Sequence, residues 1–132
     1  VHEALVLEPT ECWQLLRSTD VGRLAVAIRN LPDIFPVNYL VDDETIVINT
    51  APGTKLAAAV LGRAVAFEAD VLDPITQTGW SVVVKGEASE IEDIEGFLAA
   101  ERLHLQTWTS TDKTRYLRVV PDEITGRRIG VV

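Results

Sequence analysis

The chain has 132 residues, with 12 lysine and arginine residues against 20 aspartate and glutamate residues, and a formal net charge of -8 at pH 7. One domain over residues 1–132 is expected, and the acidic balance argues against a general attraction to nucleic acid or to an anionic membrane. The single cysteine, Cys12, excludes an internal disulfide and a cysteine-rich metal site, and it favours a cytoplasmic location.

The first half of the chain predicts a short helix followed by three strands. The helix begins at Pro9 and ends near residues 18–20, and the strands are expected at Val21–Ile28, Ile34–Val41 and Thr45–Asn49. The short connections predict a meander. Pro36 lies in the middle of the second strand and has no amide donor, which indicates an edge position, a bulge or a ligand beside the strand.

The stretch NTAPGTKLAAA at residues 49–59 predicts an anion site. A strand passes into a helix of about Lys55 to Leu61 here, and the junction carries two hydroxyls and an ammonium group, on Thr50, Thr54 and Lys55. Amides at the start of a helix, hydroxyls and a lysine together suit a phosphate. The alternative is that Thr54 only caps the helix and that Lys55 is solvated.

The second half predicts further strands around one longer helix. Strands are expected at Ala64–Val71 and Gly79–Gly86, a helix at Ile91–Leu105, a loop at residues 106–113, a strand at Arg115–Val120 that Pro121 ends, and a turn and strand at Glu123–Gly130. Gly79–Gly86 is the most apolar strand, so it is expected to be central, with Trp80, Val82 and Val84 on a hydrophobic face that a second subunit covers. Six or seven strands in hairpin order predict a mainly β protein, a small antiparallel barrel with flanking helices.

Few other residues in the sequence suggest a catalytic or metal-binding role. Glu68 and Asp70 share one strand face and suit either acid–base or metal chemistry or a solvated surface. Cys12 is interpreted as a packed residue and His104 as a partly exposed one. No serine–histidine–aspartate set and no histidine-rich cluster is present in the sequence.

Five motifs follow one another along the chain: VGRL at 21–24, FPVNY at 35–39, NTAPGTK at 49–55, GWSVVVKG at 79–86 and TGRRI at 125–129. In this order they resemble the pyridoxamine 5′-phosphate oxidase-like family of flavin-binding split barrels. Within that family the chain is most similar to the short flavin- or deazaflavin-dependent oxidoreductases and the nitroimidazole-resistance-type proteins. The resemblance runs from about Glu8 to Ile129. It implies a homodimer with two cofactor sites at the interface, FMN as cofactor, and redox chemistry on a small organic molecule.

The resemblance also assigns cofactor residues. The phosphate-binding positions fall on Thr50 and Lys55, which the sequence pattern also selects. The strand beside the flavin ring matches Phe35–Tyr39 and offers groups of Pro36, Val37, Asn38 and Tyr39. The classical oxidases carry a basic residue at each end of this motif and this chain does not, which argues against pyridoxamine phosphate as its substrate.

The remaining assignments concern the partner subunit and the alternatives. Ser81 matches the polar residue that the partner sends to the flavin, Trp80 is expected to cover the cofactor, and Arg127, Arg128 or Arg23 is expected to reach the site or to form surface ion pairs. The deazaflavin coenzyme is the alternative cofactor, which the net charge of -8 disfavours. A non-catalytic flavin- or haem-binding protein for sensing or stress is the other alternative, with His104 as the first candidate haem ligand.

Overall fold

The computed structural model describes residues 2–50, 56–91 and 115–131, which form seven strands and two short helices. The strands are β1 (His2–Val6), β2 (Val21–Ile28), β3 (Leu31–Asp42), β4 (Thr45–Thr50), β5 (Ala64–Asp73), β6 (Thr78–Glu90) and β7 (Arg115–Val131), and the helices are α1 (Pro9–Leu16) and α2 (Leu56–Val60). Apart from Ile91, the predicted helix Ile91–Leu105 and the loop at 106–113 lie outside the described residues, and so does Lys55.

Six of the strands close into a ring. β7 pairs with β4, β4 with β3, β3 with β2, β2 with β5 and β5 with β6, and β6 pairs with β7 again. All of these pairings are antiparallel, and β1 adds to the end of β7. The predicted antiparallel split barrel and its initial meander are confirmed. A closed ring has no central strand, so β6 lies between β5 and β7 instead of at a centre.

β7 continues through Pro121, and the prediction that this proline ends the strand is wrong. Lys85 of β6 pairs with Glu123, and Gly86 pairs with Pro121, so Asp122 is an extra residue between them. A bulge of this kind tolerates proline because the ladder is already interrupted there. The strand can therefore pair with β4 through its first part and with β1 through its last part.

The hairpin between β2 and β3 is tighter than the sequence pattern indicates. β3 begins at Leu31, and Leu31 pairs with Ile28 across a two-residue turn. Arg29 and Asn30 have φ values of 53° and 62°. Positive φ at both positions is the geometry of a type I′ turn, which matches the twist of the two strands.

Alternate side chains of the ring strands fill the barrel interior. Trp80, Val82 and Val84 are 8%, 0% and 0% exposed within this core, so the prediction that they face a second subunit is wrong. The three side chains alternate with Ser81, Val83 and Lys85, so the sequence groups them on one apolar face but does not indicate whether the barrel interior or a second subunit covers that face. Gly22 also faces the interior, where a Cβ would lie 2.5 Å from the Phe67 ring.

Candidate functional site

The first half of the candidate site is the open edge of β3. Residues 31–37 of β3 pair with β2, whereas pairing with β4 begins only at Asn38. Pro36 therefore lies where β3 has a neighbour on one side among the described strands, which confirms the predicted edge position. No described strand pairs with the other edge of this stretch, and Pro36 is exposed there.

The side chains of β3 divide between this surface and the core. Pro36 is exposed and Asn38 is half-buried, whereas Val37 and Tyr39 point into the barrel. The Tyr39 hydroxyl donates to the carbonyl of Leu16 at 2.7 Å, and burial raises the pKa of this phenol. Among the four cofactor residues predicted on β3, only Pro36 and Asn38 present their side chains outside the barrel.

Asn49 is the polar residue at this site that the sequence analysis missed. It pairs with Asn38 across β3 and β4, and both side chains lie on the outer face. Asn49 is only 8% exposed because this part of the outer face is covered, as the fully buried Val47 beside it also shows. Its Oδ1 has no hydrogen-bond partner within the described ranges 2–50, 56–91 and 115–131.

A buried carboxamide oxygen without a hydrogen-bond partner costs about 1–3 kcal/mol, so Asn49 is a candidate contact for a ligand beside the edge of β3. A ligand N–H or O–H group would satisfy this acceptor, whereas a fully ionised phosphate would not, because it has no donor. Thr50, the next residue, is the last of β4 and is 2% exposed. Thr54 and Lys55 lie outside the described residues, so the predicted phosphate contacts stay predictions.

The second half of the candidate site lies on β6 and β7. Ser81 points outward and pairs with Asp70 on one side and with Arg127 on the other. Arg127 and Arg128 are both exposed. Trp80 points the opposite way, into the core, so the structure does not place its ring over a ligand on the outer surface.

The two halves are on opposite sides of the barrel. β3 and β6 are three strands apart in either direction around the six-stranded ring. Asn38 and Ser81 both point outward, so they point away from each other. The structure therefore does not bring the predicted residues of β3 and β6 together within one chain.

Arg23 of β2 lies between these two halves, and its side chain forms ion pairs with two carboxylates. Its guanidinium donates to Glu68 at 2.7 and 3.1 Å and to Asp70 at 2.8 Å. Burial opposes the charged form of Arg23, but the bonds to Glu68 and Asp70 raise its pKa. Burial, followed by the neighbouring Asp70 carboxyl, raises the pKa of Glu68. Glu68 and Asp70 therefore form an ion-pair cluster with Arg23 at the surface.

Other candidate chemistry finds little support within residues 2–50, 56–91 and 115–131. These residues contain no group of three or more potential metal ligands. Cys12 is fully buried, and burial raises the pKa of its thiol, which confirms its packed role. His104 lies outside the described residues. Among the described helices, none is long and apolar enough to cross a membrane.

Comparison with known proteins identifies the family. A family profile described as pyridoxamine 5′-phosphate oxidase matches residues 8–128. An uncharacterised protein of Mycobacterium tuberculosis is 39% identical over 133 residues, which cover 97% of this chain and 87% of that protein.

Two solved structures share both sequence and fold with this chain. The FAD-binding protein from Mycobacterium smegmatis is 42% identical with a TM-score of 0.84, covering 94% of this chain and 98% of that one. A protein of Corynebacterium glutamicum is 39% identical with a TM-score of 0.85, covering 96% and 98% of the two chains. The chain belongs to the pyridoxamine 5′-phosphate oxidase family.

Proposed function

We propose that this protein is a homodimeric flavoprotein that binds FMN along the open edge of β3 and at the end of β4, and that it carries out a flavin-dependent redox reaction on a small organic molecule. The observation that carries the proposal is the buried Oδ1 of Asn49, which lies beside Asn38 and has no hydrogen-bond partner in the part of the chain that the structure describes. The similar Mycobacterium smegmatis protein, described as FAD-binding, supports a flavin as the ligand class.

The residues present fit a flavin. Its pyrimidine ring carries an N–H donor and its ribityl chain carries hydroxyls, and either kind of group satisfies the Asn49 oxygen. The edge of β3 beside Pro36, with which no described strand pairs, suits the edge of a planar ring, and Asn38 supplies a second carboxamide next to it. Thr50, Thr54 and Lys55, which lie one, five and six positions after Asn49 in the sequence, are proposed to hold the phosphate.

The bound flavin would supply hydride transfer, and the protein would supply orientation and a dry surface. Asn49 and Asn38 would fix the in-plane position of the ligand through directional hydrogen bonds. The partner subunit's Ser81, with Arg127 beside it in the register, would close the site from the other side. We assign no general acid or base, because no histidine or isolated carboxyl faces Asn49 among the described residues.

FMN is preferred to the deazaflavin coenzyme because that coenzyme has an additional acidic tail, and the chain has a net charge of -8. Arg23, which could have received such a tail, is already bonded to Glu68 and Asp70. FAD is retained as a second candidate, on the strength of the Mycobacterium smegmatis relative. A cytoplasmic location is proposed from the single, buried Cys12, which forms no disulfide.

Titration of the purified apo protein with FMN, riboflavin, FAD and the deazaflavin coenzyme tests the proposal. FMN is expected to bind more tightly than riboflavin, and Lys55→Ala is expected to weaken FMN binding by about 1.5–3 kcal/mol without a similar effect on riboflavin. Arg63→Ala removes the same charge from an exposed position and serves as the matched control.

Asn49→Leu is expected to weaken FMN and riboflavin equally, because both carry the pyrimidine ring and the ribityl chain. Equal affinity of the wild-type protein for FMN and riboflavin would overturn the phosphate assignment. Absence of binding by any of the four ligands would overturn the flavoprotein proposal.

A further inference from the structure

The outer surface formed by β5, β6, the last part of β7 and β1 carries an exposed apolar area around one arginine. Val6 of β1, Leu72 of β5 and Ile129 of β7 are 83%, 62% and 39% exposed. Arg127 lies directly beside Val6 in the register and two residues before Ile129. Contiguous exposed apolar groups mark interaction sites or ligand-binding grooves. We call Val6, Leu72, Gly79, Arg127 and Ile129 the Arg127 patch.

Strand register places the patch on the outer face of the sheet. Arg127 pairs with Ser81, which points outward, and Val6 pairs with Arg127 from the other side. Ile129 lies two residues further along β7, so the alternation of a strand gives it the same face. The patch therefore continues directly from the half of the candidate site that β6 and β7 form.

Gly79 makes the patch continuous between β5 and β7. It pairs with Leu72 on one side and with Ile129 on the other. A Cβ at this position would lie 2.9 Å from Cδ2 of Leu72 and 2.3 Å from the carbonyl oxygen of Val71. Because Gly79 has no side chain, nothing separates the apolar groups of Leu72 and Ile129.

Arg127 is the cation that this surface offers to a ligand. Within residues 2–50, 56–91 and 115–131 it forms no ion pair, whereas Arg23 is bonded to two carboxylates and Arg118 to Asp42. Arg128 lies on the opposite face, because it pairs with the inward-pointing Trp80. One guanidinium matches one carboxylate, which it can bind through two parallel hydrogen bonds.

We propose that the substrate is an apolar organic monocarboxylate, held with its carboxylate on Arg127 and its apolar body on Val6, Leu72 and Ile129. The proposal rests on the homodimeric flavin site proposed above, in which Arg127 helps to close the site from the partner's side. The Arg127 patch then forms the wall opposite the flavin. A phosphate monoester would bring about two negative charges against one arginine, and the net charge of -8 would oppose it.

This assignment gives β1 a functional role. All five of its residues are exposed, so β1 adds nothing to the barrel core. Its pairing with β7 instead places Val6 beside Arg127. Apolar groups beside a guanidinium exclude water, and its hydrogen bonds to a carboxylate are stronger in such surroundings.

Two ligands of equal shape test the charge requirement. 2-Naphthoate and 2-naphthamide are titrated by calorimetry into apo and FMN-loaded protein. Naphthoate is expected to bind at least about 10-fold more tightly than the amide, and Arg127→Gln is expected to abolish this preference by weakening naphthoate alone. Arg63→Gln removes the same charge from an exposed position and is the matched control. 2-Naphthyl phosphate is expected to bind more weakly than naphthoate.

Serine variants test the apolar part of the patch. Leu72→Ser and Ile129→Ser are each expected to weaken naphthoate and naphthamide alike, by about 5-fold or more, because they remove apolar contact area. Leu31→Ser removes a side chain that is 72% exposed at the turn between β2 and β3, and it should change neither affinity. Titration of the same variants with FMN shows whether the flavin site is intact.

The combined titrations separate the possible failures. Equal binding of naphthoate and naphthamide, tighter binding of naphthyl phosphate, or an effect of Leu31→Ser as large as that of Leu72→Ser would overturn the proposed substrate class. Each of these results leaves the flavoprotein proposal standing if FMN binds. Absence of FMN binding would overturn the proposed function, and the titrations of apo protein would still show whether the Arg127 patch selects the carboxylate.

Discussion

The hydroxyl of Tyr39 donates to the carbonyl of Leu16 at 2.7 Å and so joins β3 to the end of α1. Both residues are fully buried, and the Tyr39 ring also packs edge-on against Phe67 at 4.7 Å between centroids. A carbonyl near the end of a helix has no partner within that helix, so a side chain from elsewhere must satisfy it when it is buried. Tyr39 therefore has a structural role that its place in the motif FPVNY does not reveal.

Replacement of Tyr39 by Phe is expected to lower the free energy of unfolding by about 1–3 kcal/mol, because it leaves the Leu16 carbonyl buried without a donor. The packing on Phe67 would be retained. Urea denaturation of the apo protein measures the effect. A loss below about 0.5 kcal/mol would show that water or a shift of α1 replaces the phenol as donor.

Asn49→Leu is expected to stabilise the apo protein by about 1–3 kcal/mol, because an apolar side chain of similar size removes the penalty of an unpaired buried oxygen. The same change is expected to weaken flavin binding, so stability and affinity would move in opposite directions. Thermal or urea denaturation without ligand provides the measurement. Destabilisation of the apo protein would mean that Asn49 already has a partner and is part of the scaffold.

Gly126→Ala is expected to destabilise the protein by about 1–3 kcal/mol through overpacking. A Cβ at this position would lie 2.6 Å from the Cys12 sulfur and 3.2 Å from Val82. Cys12→Ala removes that sulfur, so the double variant should be more stable than the sum of the two single effects predicts. A double-mutant cycle in urea tests this, and strict additivity would contradict the contact between α1 and β7.

Stability is expected to depend on pH through Glu68. Its pKa is raised from the ordinary 4.5, so the folded state holds this proton more tightly than the unfolded state does. The corresponding stability is complete below pH 4.5 and is lost as pH rises through the higher pKa of the folded state. Relative to Glu68→Gln, the wild-type protein should therefore lose stability as pH rises from 4.5.

Asp73 supplies a control of opposite sign. The backbone N–H groups of Ile75 and Thr76 donate to its carboxylate and lower its pKa from 3.8. Relative to Asp73→Asn, the wild-type protein should lose stability as pH falls below 3.8. Denaturant titrations between pH 3 and pH 7 follow both pairs. A gain in stability of the wild-type protein relative to Glu68→Gln as pH rises would contradict the prediction. That result would mean that the attraction of the Glu68 carboxylate to Arg23 outweighs the effects of burial and of the Asp70 carboxyl on its pKa.

Alternation along a strand predicts which side chains share a face, but it does not predict what covers that face. In β5 the alternation places Val65, Phe67 and Ala69 inside, as observed. In β6 the alternation groups Trp80 with Val82 and Val84 on one apolar face, but only the closure of the ring shows that this face is the barrel interior. β1 is exposed along its length and forms only because β7 is available to pair with it, a contact between distant parts of the chain.

The candidate site shows the same limits. The open edge of β3 is predictable, because Pro36 cannot donate to a second neighbour. The burial of Asn49 is not predictable, because the outer face of β4 is covered by other parts of the structure and short-range pattern does not report this. The separation of Asn38 from Ser81 could not be predicted, because it follows from the order of the strands in the sheet, which the sequence motifs do not reveal.

The length of β7 has a consequence for how the barrel is made. This one strand pairs with β1, β4 and β6, and it comes after all of them in the chain. Until it has emerged from the ribosome, β4 and β6 both have a free edge, and the apolar core is open along one side. Such edges can pair with other chains, so the nascent protein is expected to depend on chaperones until β7 is complete.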